Sequence, residues 1–156
     1  MADIHAVSIV VFQNGRFLLV RRGHPPAEGL YAFPGGRVEP GEDDETAARR
    51  ELMEETNLAA SHLTAFDRMT LEADDGRRYS LAVYRAAGVA GSLIARDDAA
   101  AAGWFTLDEM SGLPVTESTL SVAARIAAAD HGDSVLRASG ADAIPDASKN
   151  GGGTDG

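Results

Sequence analysis

The sequence predicts a mixed α/β domain of the α+β kind, and three observations carry that reading. Ile4 to Phe12, rich in Val and Ile, is followed at once by Asn14-Gly15 and then by a second strand-like run, Arg16 to Arg22. Residues 44–56 are strong helix formers bounded by cap residues at both ends. A second pair of strand-like runs, Leu63 to Ala73 and Tyr79 to Ala87, is joined by Asp74-Asp75-Gly76-Arg77, where Asp-Gly marks a tight turn.

In the opening hairpin, Asn and Gly tolerate the positive φ that a two-residue turn requires. Along the second strand Leu18, Val20 and Arg22 share one face while Phe17, Leu19 and Arg21 share the other, so the two arginines point in opposite directions. Gly23 to Leu30 contains Pro25 and Pro26, lacks any regular period and is expected to be a loop at the mouth of a site. Its His24 is a phosphate or base contact or, more simply, a bystander. Tyr31 and Phe33 alternate, so both face one side, where they either pack on the sheet or stack on a base. Core packing suits Phe33, and the pocket suits Tyr31. Pro34-Gly35-Gly36 and Pro40-Gly41 read as turns, and adjacent glycines allow close approach to a ligand. Arg37, next to Gly36, is either a phosphate contact or a surface residue.

Asp43 is a good N-cap, Asp44 and Glu45 place negative charge at the positive end of the helix dipole, and Asn57 is a common substitute for glycine at a left-handed helix end. Within this helix Glu51, Glu54 and Glu55 stand at i, i+3 and i+4, so three carboxylates project from one face. Like charges so spaced cost an isolated helix about 0.2 to 0.5 kcal/mol per pair. A hard divalent cation such as Mg²⁺ or Mn²⁺ reverses that sign, because carboxylate oxygens match it. The plainer alternative is a solvated, salt-bridged face, with Arg50 pairing to Glu54 or back to Glu42.

In the second hairpin Leu81, Val83 and Arg85 alternate against Ala82 and Tyr84, as a half-buried strand requires. Gly88 to Gly103, with Asp97-Asp98 and four consecutive alanines, is expected to be a loop crossing the site. Thr116 or Ser118 caps a final helix whose Leu120, Ala123, Ala124, Ala127 and Ala128 make a small-residue face. The expected division is one domain over residues 1–138 and a flexible Gly/Ser/Asp-rich tail over 139–156.

Composition bounds the partners. A formal charge of −10, with the single Lys at 149, argues against duplex nucleic acid, whose phosphates need clustered basic residues. The chain has no Cys, which excludes disulfides and thiol catalysis. There is no basic N-terminal segment leading into a long apolar core, and no run approaches a membrane span, so the expectation is a soluble cytoplasmic protein. An exposed hairpin leaves a homodimer open.

Gly36, Glu42, Arg50, Glu51, Leu52, Glu54, Glu55, Asn57 and Leu58 spell G-x5-E-x7-R-E-L-x-E-E-x-N-L. This pattern resembles the box of the Nudix hydrolases, with Asn57 where the family has Gly, and flanking features are similar to the family from about Ile4 to about Asp130. The resemblance implies an α/β/α sandwich with a mixed central sheet and a metal-dependent pyrophosphohydrolase. It implies Glu51, Glu54 and Glu55 as ligands of catalytic Mg²⁺, one of them a possible base, with Gly35 lending a backbone carbonyl to the metal. Glu42 and Arg50 hold the loop against the helix, and Arg22 matches a phosphate-contacting strand end. Many members supply a further general base from the region of Gly88 to Gly103, where Asp98 is the candidate, with Glu72 and Glu54 as others. The implied substrate is a nucleoside diphosphate linked to another moiety, ADP-ribose or a nucleotide sugar. A (d)NTP-cleaning enzyme is the alternative, and a nucleotide-sensing domain without catalysis a third. Ala73 and Asp74 occupy the zone where ADP-ribose hydrolases often carry Pro, and the nearest counterpart of the Tyr of dinucleoside polyphosphate hydrolases is Tyr79.

Overall fold

The computed structural model describes residues 3–130. Two compact units, residues 1–120 and 121–156, are distinguished. The expected tail over 139–156 lies outside the described residues. The first unit contains β1 (Ile4–Val10), β2 (Phe12–Gln13), β3 (Arg16–Arg22), β4 (Tyr31–Ala32), β5 (Gly35–Arg37), α1 (Asp44–Thr56), β6 (Ala59–Glu72), β7 (Arg78–Ala90), β8 (Ala99–Phe105) and α2 (Leu107–Ser111). A third helix, α3, covers residues 117–130.

Strands β5-β1-β7-β6 form the central sheet in that order. It is mixed, because β1 runs parallel to β7 while β5 on β1 and β6 on β7 are antiparallel. The mixed α+β class expected from the sequence is the one observed. In the second sheet β3 is flanked by β2 and β4, and β8 pairs with it antiparallel.

Five expectations are corrected. The Asn14-Gly15 turn is present, with φ of 53° and 75°, but only β2 and β3 pair across it. At the fully buried Val11 the chain passes from one sheet to the other, so only the short β2 makes the hairpin with β3, and β1 belongs to the central sheet. Gly35-Gly36 is not a free turn: both residues pair with β1, Gly35 opposite Ser8 and Gly36 opposite Val7. The stretch expected as one loop from Gly88 to Gly103 begins and ends as strand, and the four alanines lie in β8. Alanine has little strand preference of its own, but β3 offers an edge, and cross-strand pairing outweighs propensity. In α3 the buried positions are Thr119, Val122, Ala123 and Ile126, a stripe rotated from the alanine face expected, since Ala124 and Ala128 are exposed.

β7 is likewise more than half-buried. It lies between β1 and β6, and both Ala82 and Val83, which point to opposite faces, are buried. Helix α1 packs its Ala47, Ala48 and Leu52 with Val7, Ile9, Val11 and Ala82 in one core cluster. The two alanines let the helix approach the sheet closely, and full burial of Leu52 contributes on the order of 2 kcal/mol. That packing fixes which carboxylates of α1 turn inward. Among the described residues no helix is long and apolar enough to cross a membrane.

Candidate active site

Helix α1 starts and stops where its caps dictate. Asp43 accepts the Thr46 amide hydrogen at 2.8 Å. At the other end Asn57 adopts φ 65° and ψ 21°, and its amide donates to the Met53 carbonyl. Between these ends Glu51 and Glu55, one turn apart, are buried together with Leu52, whereas Glu54 turns toward solvent.

The two buried acids lie directly beneath the glycine strand. A β-carbon on Gly36 would overlap the Glu51 carboxylate, and one on Gly35 would overlap the Val7 carbonyl. Glycine is required at both positions by space, since neither has a positive φ. The missing side chain at Gly36 is the room Glu51 occupies. The Gly35 amide donates to Glu55 Oε1 at 3.2 Å.

One guanidinium ties this arrangement to the preceding loop. Arg50 Nε and Nη2 donate to the two oxygens of Glu42 at 2.7 and 2.8 Å. Nη2 also donates to the Arg37 carbonyl at 3.1 Å, and Nη1 reaches Glu51 Oε2 at 3.2 Å and Glu54 Oε1 at 3.1 Å. Bidentate bonding from Arg50 holds Glu42 down to a pKa of about 2. Burial pushes Glu51 up, against the pull of Arg50 and with help from the charges of Glu54 and Asp97. Burial pushes Glu55 up to about 8, and the neighbouring Glu51 charge adds to it, while the Gly35 amide and Arg22 oppose it.

Among the described residues no three acidic or histidine side chains stand close enough together to grip an ion as they are. The full convergence expected of Glu51, Glu54 and Glu55 is therefore not seen, because Arg50 draws Glu54 and the Gly35 amide holds Glu55. The donor set nonetheless fits a hard divalent cation. Two carboxylates are buried side by side at raised pKa, Arg50 pairs with Glu51 and with Glu54 one turn away, the charge of Arg22 acts on Glu55, and every donor is oxygen.

The remaining candidates are distributed around this centre. Arg22 donates from Nε to the Pro26 carbonyl at 2.5 Å, and its charge acts on Glu55. Tyr31 is half-buried, edge-on to Phe105 at 5.4 Å between ring centroids. Phe33 is buried near Phe17, which places its ring in the core rather than at a pocket wall. Arg37 carries its guanidinium 6.0 Å from the Tyr79 ring, and Tyr79 in turn donates its hydroxyl to Asp75 at 2.8 Å. Asp98 faces His24, with Oδ1 to Nε2 at 3.1 Å, and its carbonyl accepts the Gly23 amide. His24 is thus engaged by Asp98. Glu72 sits at the turn end of β6, opposite Arg78. Sequence reasoning passed over Asp97, whose φ of 56° and influence on Glu51 put it beside the site. It also passed over Tyr79 as the neighbour of Arg37.

A family model described as NUDIX domain matches residues 4–125. The chain is 33% identical over 109 residues to the ADP-ribose pyrophosphatase of Methanocaldococcus jannaschii, covering 69% of this chain and 64% of that one. It is 34% identical over 71 residues to the 8-oxo-dGTP diphosphatase of Escherichia coli, covering 45% of this chain and 55% of the relative. The chain thus spans less than two-thirds of the length of both curated relatives. The crystal structure of a MutT NUDIX hydrolase from Burkholderia pseudomallei superposes with a TM-score of 0.71 at 29% identity, over 81% of this chain and 96% of that one.

Proposed function

The chain belongs to the Nudix family, and from that premise we propose that it is a Mg²⁺-dependent pyrophosphohydrolase cleaving a nucleoside diphosphate linked to another moiety, with ADP-ribose or a nucleotide sugar as substrate. The observation that carries this reading is the burial of Glu51 and Glu55 beneath Gly35 and Gly36, where a side chain on Gly36 would displace the Glu51 carboxylate. Two acids kept in so confined a place are costly without a purpose for their charge.

In this reading Glu51, Glu54, Glu55 and the Gly35 carbonyl hold Mg²⁺, and Mn²⁺ substitutes. The bound cation supplies charge to the phosphate oxygens and lowers the pKa of a water. The chain's own residues do the rest. Gly36 leaves room for the Glu51 carboxylate beside the strand, Arg22 and Arg37 offset the charge of the diphosphate, and Tyr31 presents an aromatic edge to the base. Asp98 or Glu54 takes the proton of the attacking water. Water oxygen bonds to one phosphorus, the bridging P–O bond breaks, and the bridging oxygen leaves on the other phosphate. The products are a nucleoside monophosphate and a phosphorylated group.

ADP-ribose is favoured because similarity to the archaeal relative extends over 69% of this chain, well beyond the box. Triphosphate clean-up is the second reading. It rests on the match to the 8-oxo-dGTP diphosphatase, which covers 45% of the chain. A panel of ADP-ribose, nucleotide sugars, dinucleoside polyphosphates and dNTPs, incubated with Mg²⁺ and resolved chromatographically, tests both. Release of AMP from ADP-ribose is expected; a preference for dNTPs supports the second reading, and no product from any substrate refutes the proposal.

A further inference from the structure

The last-turn carbonyls of α1 are claimed by a segment far along the chain. Ile94 donates its amide to the Thr56 carbonyl and Arg96 its amide to the Glu55 carbonyl, both at 3.0 Å. Arg96 Nη2 adds a bond to the Met53 carbonyl at 2.7 Å. The helix has no basic residue in its own last turn, so Arg96 supplies from outside the positive charge that the negative end of the dipole favours. Asn57 completes the attachment: its Nδ2 donates to the Ser92 carbonyl at 3.0 Å. Gly91 passes so near that a β-carbon there would lie 2.7 Å from the Asn57 carbonyl oxygen.

This strap ends at the site. Directly after Arg96 comes Asp97, held at φ 56°, and then Asp98, bound through its carbonyl to Gly23 and through its carboxylate to His24. The charge of Asp97 acts on Glu51 and that of Asp98 on Glu55. The helix end and the strap's acids are thus joined by a few backbone and side-chain bonds, and glycine at 57 can serve the left-handed turn but not the bond to Ser92.

We propose that Asn57 is a positioning residue: its side chain, with Arg96, locks the strap of residues 91–98 onto the end of α1 and thereby fixes Asp97 and Asp98, which follow directly on Arg96, near the helix end that carries Glu51 and Glu55. Asn57, where the family's box has Gly, thus adds a side-chain bond to the strap that glycine cannot make. The proposal rests on the reading of Glu51 and Glu55 as a cation site, and its test separates the two.

Asn57→Gly in the full chain keeps the helix end and deletes only the bond to Ser92. Amide hydrogen exchange of residues 92–98 is expected to accelerate about tenfold while the α1 interior is unchanged. Mn²⁺ alone, titrated calorimetrically, is expected to bind about three- to tenfold more weakly. Arg96→Ala is expected to reproduce both effects, and Arg96→Lys to restore part of them by returning the charge. Unchanged strap exchange in Asn57→Gly overturns the lock. Faster exchange with unaltered Mn²⁺ affinity overturns the link between strap and site while leaving the cation reading intact. If the wild-type protein binds no Mn²⁺, the cation reading falls and the assigned role of Asn57 with it, whatever the exchange data say of the strap.

Discussion

Glu55 Oε1 accepts the amide hydrogen of Gly35 across twenty residues of sequence, joining the acidic helix to the glycine strand inside the protein. That bond is the one backbone contribution opposing the rise of Glu55 to about 8. A carboxyl raised above its unfolded value of 4.5 keeps its proton in the fold after losing it in the unfolded chain, so stability falls as pH rises from about 4.5 to 8. Glu55→Gln removes that penalty. In calorimetric melts without divalent cations, the variant is expected to exceed wild type by at least about 3 °C at pH 8 and by little at pH 5. Added Mg²⁺ should close the gap by stabilising wild type. An equal offset at both pH values contradicts the burial account.

Gly36 owes its identity to the Glu51 carboxylate rather than to its own backbone angles. Gly36→Ala is therefore expected to keep the β5 pairing with β1 while pushing Glu51 aside. Turnover should drop at least about tenfold, equivalent to about 1.4 kcal/mol of barrier. Circular dichroism should be unchanged, and a loss of folded protein would instead assign the glycine a purely structural role.

Tyr31 and Phe33 separate by burial, and kinetics should separate them the same way. Phe33→Ala removes a core ring and is expected to cost about 3 kcal/mol in denaturant unfolding, with KM unchanged in the molecules that fold. Tyr31→Ala is expected to raise KM for the nucleotide several-fold with little effect on kcat, because it loses a base contact and no chemistry. The opposite pattern would place Phe33 at the substrate.

Much of this site is local in sequence, which is why it is legible there. The Asp43 cap, the helix end at Asn57 and the one-face spacing of Glu51, Glu54 and Glu55 are all set by neighbours within a turn or two. The tight turn at Asn14-Gly15 is local too, and it forms. The pairing of the strands on either side of that turn is a long-range matter: whether β1 joins β3 or β7 depends on partners some seventy residues away, and the turn carries no information about that. β8 hides for the same reason, because four alanines acquire strand geometry only from the edge that β3 provides. Arg96 lies beyond such reasoning altogether. The sequence does show that α1 lacks a basic residue in its last turn, but not which distant side chain answers that lack.

The central claim, that the acids of α1 gather a divalent cation so that water can break a diphosphate, is tested most directly by Mg²⁺-dependent AMP release from ADP-ribose by wild type and Glu54→Gln. Glu54 is partly exposed and its carboxylate accepts from Arg50 at the surface of the helix, so the amide is tolerated by the fold. The account predicts that kcat falls at least about a hundredfold with an unchanged melting temperature. Near wild-type turnover in that variant would contradict it.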